Sequence, residues 1–458
     1  MENSIQRFLN LTVRGFRRLA KVDLELRPLT VLIGANGVGK SSLLDALSIL
    51  ASSAQGRLNA AVSEMSGLAA MMTYDRASEV GFGISMTVPN YEPLGYSLSL
   101  RPQGAAYLID RETLQQRREG HPHPFLHIDS RGTDIKYFEV DQGKLVRPNL
   151  GPNKLVRPKS EPGKRVHTAS EPINLIVRPK SEPGKRVHTA SDPINLIVRP
   201  KSEPGKRVHP VLEPINLIRP NWEHNPLESS LSQVPKLFRA PEEFRQRLAS
   251  STFYHVLNVE PRSPVRLPQA MRPAPLPGKD GEDLVSSLYY LREADPDRFE
   301  AVEDSLKAAF PGFKRLDFPP VAAGTLAMTW RDTNFSKPLY MHQVSEGMLR
   351  FLWLAALLQS PGLTALTLLD EPEVSLHPEL LSLLAGLLRE AAQRTQIVVA
   401  THSDRLIRFL KPNEVVVMDA AEDGTSTLTW ADKLNLEQWL DEYTLDELWR
   451  NGRLGARG

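Results

Sequence analysis

Four short stretches carry groups able to handle a polyphosphate and a hard cation. Gly34 to Ser41 reads GANGVGKS, which fits the pattern G-x-x-x-x-G-K-[ST]. The apolar run Leu29 to Ile33 precedes it, and apolar residues at positions 43, 44, 47 and 50 follow at helical spacing, so the loop joins a strand to a helix. In that setting glycines let backbone N–H groups wrap phosphates, and the helix N-terminus adds positive potential. Lys40 is then placed for the β- and γ-phosphates of a nucleotide and Ser41 for a Mg²⁺ ion, with Gly34, Asn36, Gly37, Gly39 and Ser42 forming the rest of the cradle.

The second stretch, LTLLDEPE from Leu366, puts two acids at the end of an apolar strand. Asp370 can hold the metal directly or through water, and Glu371 is placed to polarise an attacking water. With Pro372 next, paired acids can also be a helix cap; the phosphate loop upstream favours the catalytic reading. The third stretch, QIVVATHS from Gln396, ends a second buried strand in His402. There it can sense a γ-phosphate and help position the water, although a lone histidine is more often structural. The fourth, HQVSEGMLR from His342, sets Ser345, Glu346 and Gly347 at the mouth of a very apolar helix. A serine in that place is also an ordinary N-cap.

Lys40 and Asp370 are 330 residues apart. Hexameric ring ATPases and small GTPases keep these motifs much closer, so a large element lies between them here. With four motifs in this order, the chain resembles the ABC-type P-loop ATPase heads of the RecF/SMC group, and within it the compact, stand-alone bacterial AAA-family ATPases. The resemblance covers the N-terminal lobe and residues from about 320 onward. It implies an α/β fold with an antiparallel β subdomain and a helical subdomain, ATP and Mg²⁺ as cofactors, and a homodimer closing face to face on two nucleotides. It further implies that Ser345 and the backbone of Gly347 cap the γ-phosphate held by the other chain, that residues 374–379 are the loop through which two heads sense each other, and that Arg17, in RGFRRL, helps hold phosphates. The implied output is a DNA-transaction, repair or phage-defence task, with a nuclease or other effector supplied in trans. A transporter's nucleotide-binding subunit and an ATP-dependent dimerisation scaffold are the alternatives.

The chain departs from that group in several places. VSEGML stands where transporters have Leu-Ser-Gly-Gly-Gln, and no glutamine is assignable to the switch loop. Sustained heptads, which long coiled-coil arms need, do not occur, nor does a clustered Glu/Asp set of the metal-nuclease kind.

The elements that must position these motifs can be read in outline. Strands are expected at Phe8 to Val13, Val22 to Leu26 and Leu29 to Ile33. From Glu79 to about Val146 an alternating, turn-rich pattern predicts an antiparallel sheet. A 21-residue unit, RPKSEPGKRVHTASEPINLIV, then recurs from Arg157, Arg178 and, in shorter form, Arg199. The full unit holds three prolines and one short apolar run, too little for a core, which predicts an extended, mobile and functionally inert insertion. The functional alternative is a basic tether along a phosphate backbone, although the unit lacks the aromatics of a base-stacking platform. Helical sections are expected from Pro226 to Leu248 and from Asp283 to Phe310. The expected division is an N-terminal ATPase lobe with the β subdomain (1–146), the repeat insertion (147–222), a helical linking subdomain (223–318) and a C-terminal ATPase lobe (319–458).

Composition narrows the rest. There is no cysteine, which removes disulfides, thiolate metal sites and cysteine nucleophiles and predicts a reducing, cytoplasmic setting. The net charge of +2 divides into +6 in the three repeats and −4 elsewhere, so any general case for nucleic-acid binding rests on the insertion. The uncharged window Phe351 to Leu369 nearly reaches membrane-spanning length. Gln359, Ser360, Pro361 and Gly362 break it, which predicts a buried helix and a buried strand and no membrane partner. His121, His123 and His127 are separated by prolines and apolar residues with no carboxylate between them, and are not read as a metal site.

Overall fold

Alternation of apolar and polar residues makes a hairpin of β1 (Phe8–Phe16) and β2 (Leu19–Glu25). In this computed structural model the described residues are 6–454, apart from 74–75, 105, 119, 133, 140–214, 219–223, 364, 437–438 and 440–442. The hairpin joins β4 (Val80–Val88), β5 (Tyr91–Gln103), β6 (Ala106–Gln116), β7 (Phe125–Arg131), β8 (Asp134–Glu139) and β9 (Ile215–Ile218) in one antiparallel sheet, ordered β2-β1-β4-β5-β6-β7-β8-β9. The sheet expected from residue 79 is therefore larger at both edges. Its last strand, β9, is the apolar run of the third repeat copy, paired with β8 from Lys136↔Ile218 to Glu139↔Ile215. Residues 215–218 are thus paired where an extended, mobile segment was expected, because an open sheet edge accepts a short apolar run. The other repeat residues lie outside the described residues.

The second sheet has the order β10-β11-β12-β3-β13-β14, where β3 is Leu29–Ile33, β10 Thr252–Tyr254, β11 Leu366–Asp370, β12 Gln396–Ala400, β13 Val415–Ala420 and β14 Ser426–Trp430. All neighbours run parallel except β13 and β14. Its central strands are apolar throughout because both faces are covered. Val31, Ile33, Ile397, Val399, Leu369 and Val417 face one core, while Leu32, Val398, Ala400, Leu368 and Val416 face the other. The first core is closed by α3 (Leu284–Ala294), α4 (Pro296–Ala309), α5 (Glu346–Gln359) and α6 (Leu380–Ala392). The second is shared with α1 (Lys40–Gln55), α2 (Arg239–Ala249) and the antiparallel sheet. Buried Gln396 ties the two sheets: its Oε1 accepts from Phe8 N at 2.6 Å and its Nε2 donates to Phe8 O at 2.8 Å. The window from Phe351 to Leu369 divides into α5 and β11 around its turn residues. No helix among the described residues is long and apolar enough to cross a membrane.

Residues 226–238 are turns, and helix starts only at Arg239. The reason is local competition for backbone groups. Ser229 Oγ donates to Ser53 O and accepts from Ser232 N, and the Ser230 and Leu231 amides donate to the carboxylate of Glu112 at 2.6 and 2.8 Å. Tyr96 Oη is the third donor to Glu112, at 2.9 Å. Glu112 is fully buried, and desolvation holds its carboxyl above the usual range against those bonds. Replacing it with alanine strands three donors in the interior, each costing about 1–3 kcal/mol. Glu112→Ala is expected to lower the unfolding free energy by about 3 kcal/mol or more, measured by urea denaturation; an unchanged midpoint would contradict the assignment.

Candidate active site

Strand β12 lies between β3 and β11, so the phosphate loop and the acidic pair leave the sheet on either side of the strand that ends at the 401–403 loop. All three loops emerge at the carboxyl ends of parallel strands, where open α/β sheets bind ligands. Gly39 caps α1 at φ 104°, and a Cβ there would stand 2.9 Å from Ser426 Oγ, so only glycine fits. The first turn of α1 holds no acidic residue, leaving its positive end uncompensated. Asn36, Gly37 and Ser41 are exposed, and Ser42 is half-buried.

Lys40 is only 4% exposed. Its ammonium donates to Gly34 O at 2.6 Å and Ala35 O at 2.9 Å, and reaches His402 Nδ1 at 3.2 Å. An ammonium only donates, so Nδ1 accepts and the ring proton sits on Nε2, 3.5 Å from Glu371 Oε1. Burial, then Lys40, lowers the His402 pKa, which keeps the ring neutral at physiological pH. Glu371 has φ 49° and donates its N–H to Ala400 O at 2.8 Å, so the chain turns sharply just past the strand. Lys40, His402 and Glu371 thus form one line of contacts drawn from three sequence-distant motifs.

Asp370 carries a pKa raised first by burial and then by Glu371, with Asp45 adding to it. A carboxylate held among like charges, with the Ser41 hydroxyl at the start of α1, is an all-oxygen donor set suited to Mg²⁺ alongside nucleotide phosphates. Arg17, expected to hold phosphates, has φ 46° and pairs through Nη1 with Asp45 at 2.5 Å, with Ser42 Oγ at 3.4 Å. It stands at the phosphate-loop helix, engaged with that helix's own acid.

Ser345 Oγ accepts from Met348 N at 3.4 Å as an N-cap, while Ser345 and Glu346 are exposed. Gly347 abuts the 374–379 loop of its own chain: a Cβ would stand 2.8 Å from the carbonyl oxygen of Ser375, itself at φ 63°.

Three participants escaped the sequence reading. His255, directly after β10, has Nδ1 3.9 Å from Asp370 Oδ2. No local signal marks it, since its place depends on β10 pairing with a strand more than a hundred residues later. Asp45 lies one turn into α1. Glu373 was within the quoted acidic motif, and its bonds to Thr401 and the His402 amide give it a role.

Desolvation, opposed by Glu371, Asp370 and Glu373, holds the Lys40 pKa at about 8, below its ordinary 10.5. The unfolded chain therefore keeps this proton between about pH 8 and 10.5 while the folded one loses it, so this group's contribution to stability rises with pH across that window. Phosphates beside Lys40 favour the ammonium. ATP binding at pH 8 is expected to take up about half a proton per site, seen as different binding heats in buffers of unlike ionisation enthalpy. Equal proton-free heats would contradict it.

Two family models match the chain. One, described as "AAA domain, putative AbiEii toxin, Type IV TA system", covers residues 215–408, and the other, "AAA ATPase domain", covers residues 9–86. No curated protein matches. Among solved structures the chain is similar to an SmcHead bound to the C-winged helix domain of ScpA, at 14% identity and TM-score 0.48 over 92% of this chain and 97% of that one. It is similar to the SMC head domain from Thermotoga maritima, at 11% identity and TM-score 0.41 over 92% and 98%. A third is the Smc head with an extended coiled coil bound to the C-terminal domain of ScpA derived from Pyrococcus furiosus, at 12% identity and TM-score 0.48 over 96% and 99%. ATPase-domain models thus match residues 9–86 and 215–408, and the phosphate loop, the acidic pair and the His402 loop within them leave neighbouring parallel strands of one sheet at their carboxyl ends.

Proposed function

We propose that this ATPase is a Mg²⁺-dependent mechanical switch whose two heads close on two ATP molecules. Each composite site would take Lys40, Ser41, Asp370, Glu371 and His402 from one chain and Ser345 and Gly347 from the other. The exposed N-terminus of α5 carries this reading, because a buried apolar helix presents an open serine and amide end to solvent. Glu371 is the base toward water, and neutral His402 orients it or the γ-phosphate from Nε2–H. Lys40 exchanges its loop carbonyls for phosphate oxygens. Bound Mg²⁺, held through Ser41 and Asp370, would supply neutralisation of phosphate charge.

Mixing Lys40→Ala with Ser345→Arg chains tests the shared site. Each variant alone should be inert, and an equal mixture should regain about a quarter of wild-type turnover, since half the dimers pair unlike chains and each of these keeps one intact site. No recovery would end the composite-site reading.

The output we propose is a DNA-transaction, repair or defence task, with a separately encoded effector or nuclease as the partner it would control. The matched family's description, a putative toxin of a Type IV TA system, supports a task other than transport. Stimulation of hydrolysis by DNA would support this output, and co-purification with a membrane subunit would favour the transporter reading.

A further inference from the structure

We propose that Glu373 is a positioning residue for hydrolysis: it fixes the 401–403 loop, and through it His402, to the turn that leads into the 374–379 loop. This rests on the reading of His402 given above. Glu373 Oε1 accepts from the Thr401 hydroxyl and from His402 N, the latter at 3.3 Å. Among the described residues no other hydrogen bond is made by the His402 amide. Thr401 is fully buried; its N–H donates to Leu32 O in β3, and its Oγ1 accepts from Ser403 N at 3.0 Å. Ser403 in turn caps the next helical turn through Leu406 N. One carboxylate therefore holds three consecutive residues of the loop that presents His402.

The other side of Glu373 faces the dimer-sensing loop. Its carbonyl accepts from Leu376 N at 3.0 Å, and two residues on, Ser375 sits where Gly347 of α5 leaves no room for a side chain. The second carboxylate oxygen, Oε2, is covered and has no hydrogen-bond partner. A buried lone oxygen is costly. Here it sits on a side chain whose hydrogen bonds, among the described residues, go to the histidine loop. The connection Gly347–Ser375–Glu373–His402–Lys40 runs through one chain, linking the face offered to a partner head with the lysine that holds phosphate.

The test uses the full-length protein. Glu373→Ala should lower kcat about 10- to 100-fold with KM for ATP within about twofold, since a catalytic group is displaced and the phosphate cradle is not. Glu373→Gln keeps an acceptor oxygen and should restore most of kcat. Combined with His402→Ala, Glu373→Ala should add no further loss. A wild-type kcat in Glu373→Ala, no rescue by glutamine, or full additivity with His402→Ala would overturn the proposal. Should the alanine variant not fold, the glutamine variant alone and with His402→Ala decides: near-wild-type kcat alone and no added loss in the double are expected, and a glutamine defect equal in both backgrounds would overturn it. Failure of the underlying reading looks different, because His402→Ala itself would then hydrolyse ATP normally.

Discussion

Lys40→Ala is expected to abolish ATP turnover, lowering kcat/KM by about 10³-fold or more. Lys40 is the buried cation at the phosphate loop, spending its bonds on the carbonyls of Gly34 and Ala35. Those contacts keep a desolvated ammonium tolerable, and a polyphosphate offers it a far stronger partner. Alanine removes the charge and leaves His402 Nδ1 without its donor, so binding and chemistry fall together. Nucleotide affinity, measured with a fluorescent ATP analogue, should weaken by about 10²-fold. A Lys40→Ala protein that binds and turns over ATP like wild type would remove the loop from the active site.

Glu371→Gln should behave in the opposite way toward binding. Its side chain faces His402 Nε2 at 3.5 Å and acts on Lys40 through its charge, so an isosteric amide keeps the shape of the cradle. It removes the base, which is worth about 10²–10⁴-fold in kcat, while also relieving Asp370 of a neighbouring like charge that now raises its pKa. The expected result is ATP held at wild-type affinity or tighter with turnover reduced by at least about 10²-fold. Single-turnover kinetics separate the two effects, and unchanged turnover would strip Glu371 of its role.

Local patterns carried much of this fold. The phosphate loop lay between a strand and a helix as its apolar spacing required, and the turn residues after Gln359 divided one long apolar window into α5 and β11. Long-range pairing was not legible. Nothing near residue 8 says that the first hairpin joins a sheet beginning at residue 80, and nothing near His255 says that it ends beside Asp370. The turns at 226–238 were read as helix because apolar spacing does not reveal that Glu112, far away in sequence, takes the Ser230 and Leu231 amides. At Gly347 the family resemblance implies a phosphate contact; that it also makes room for Ser375 is a packing fact. Arg17 shows the same limit, since its partner Asp45 lies on the helix after the loop and the aromatic-basic turn alone does not disclose the pair.

The account depends on nucleotide being enclosed between two copies of the chain. Light scattering on the Glu371→Gln protein with excess ATP and Mg²⁺ tests this most directly. It should report a particle of twice 51.2 kDa that reverts to 51.2 kDa when Ser345→Arg is added to the same chain. A single chain of 51.2 kDa carrying bound ATP, unchanged by the serine substitution, would contradict it.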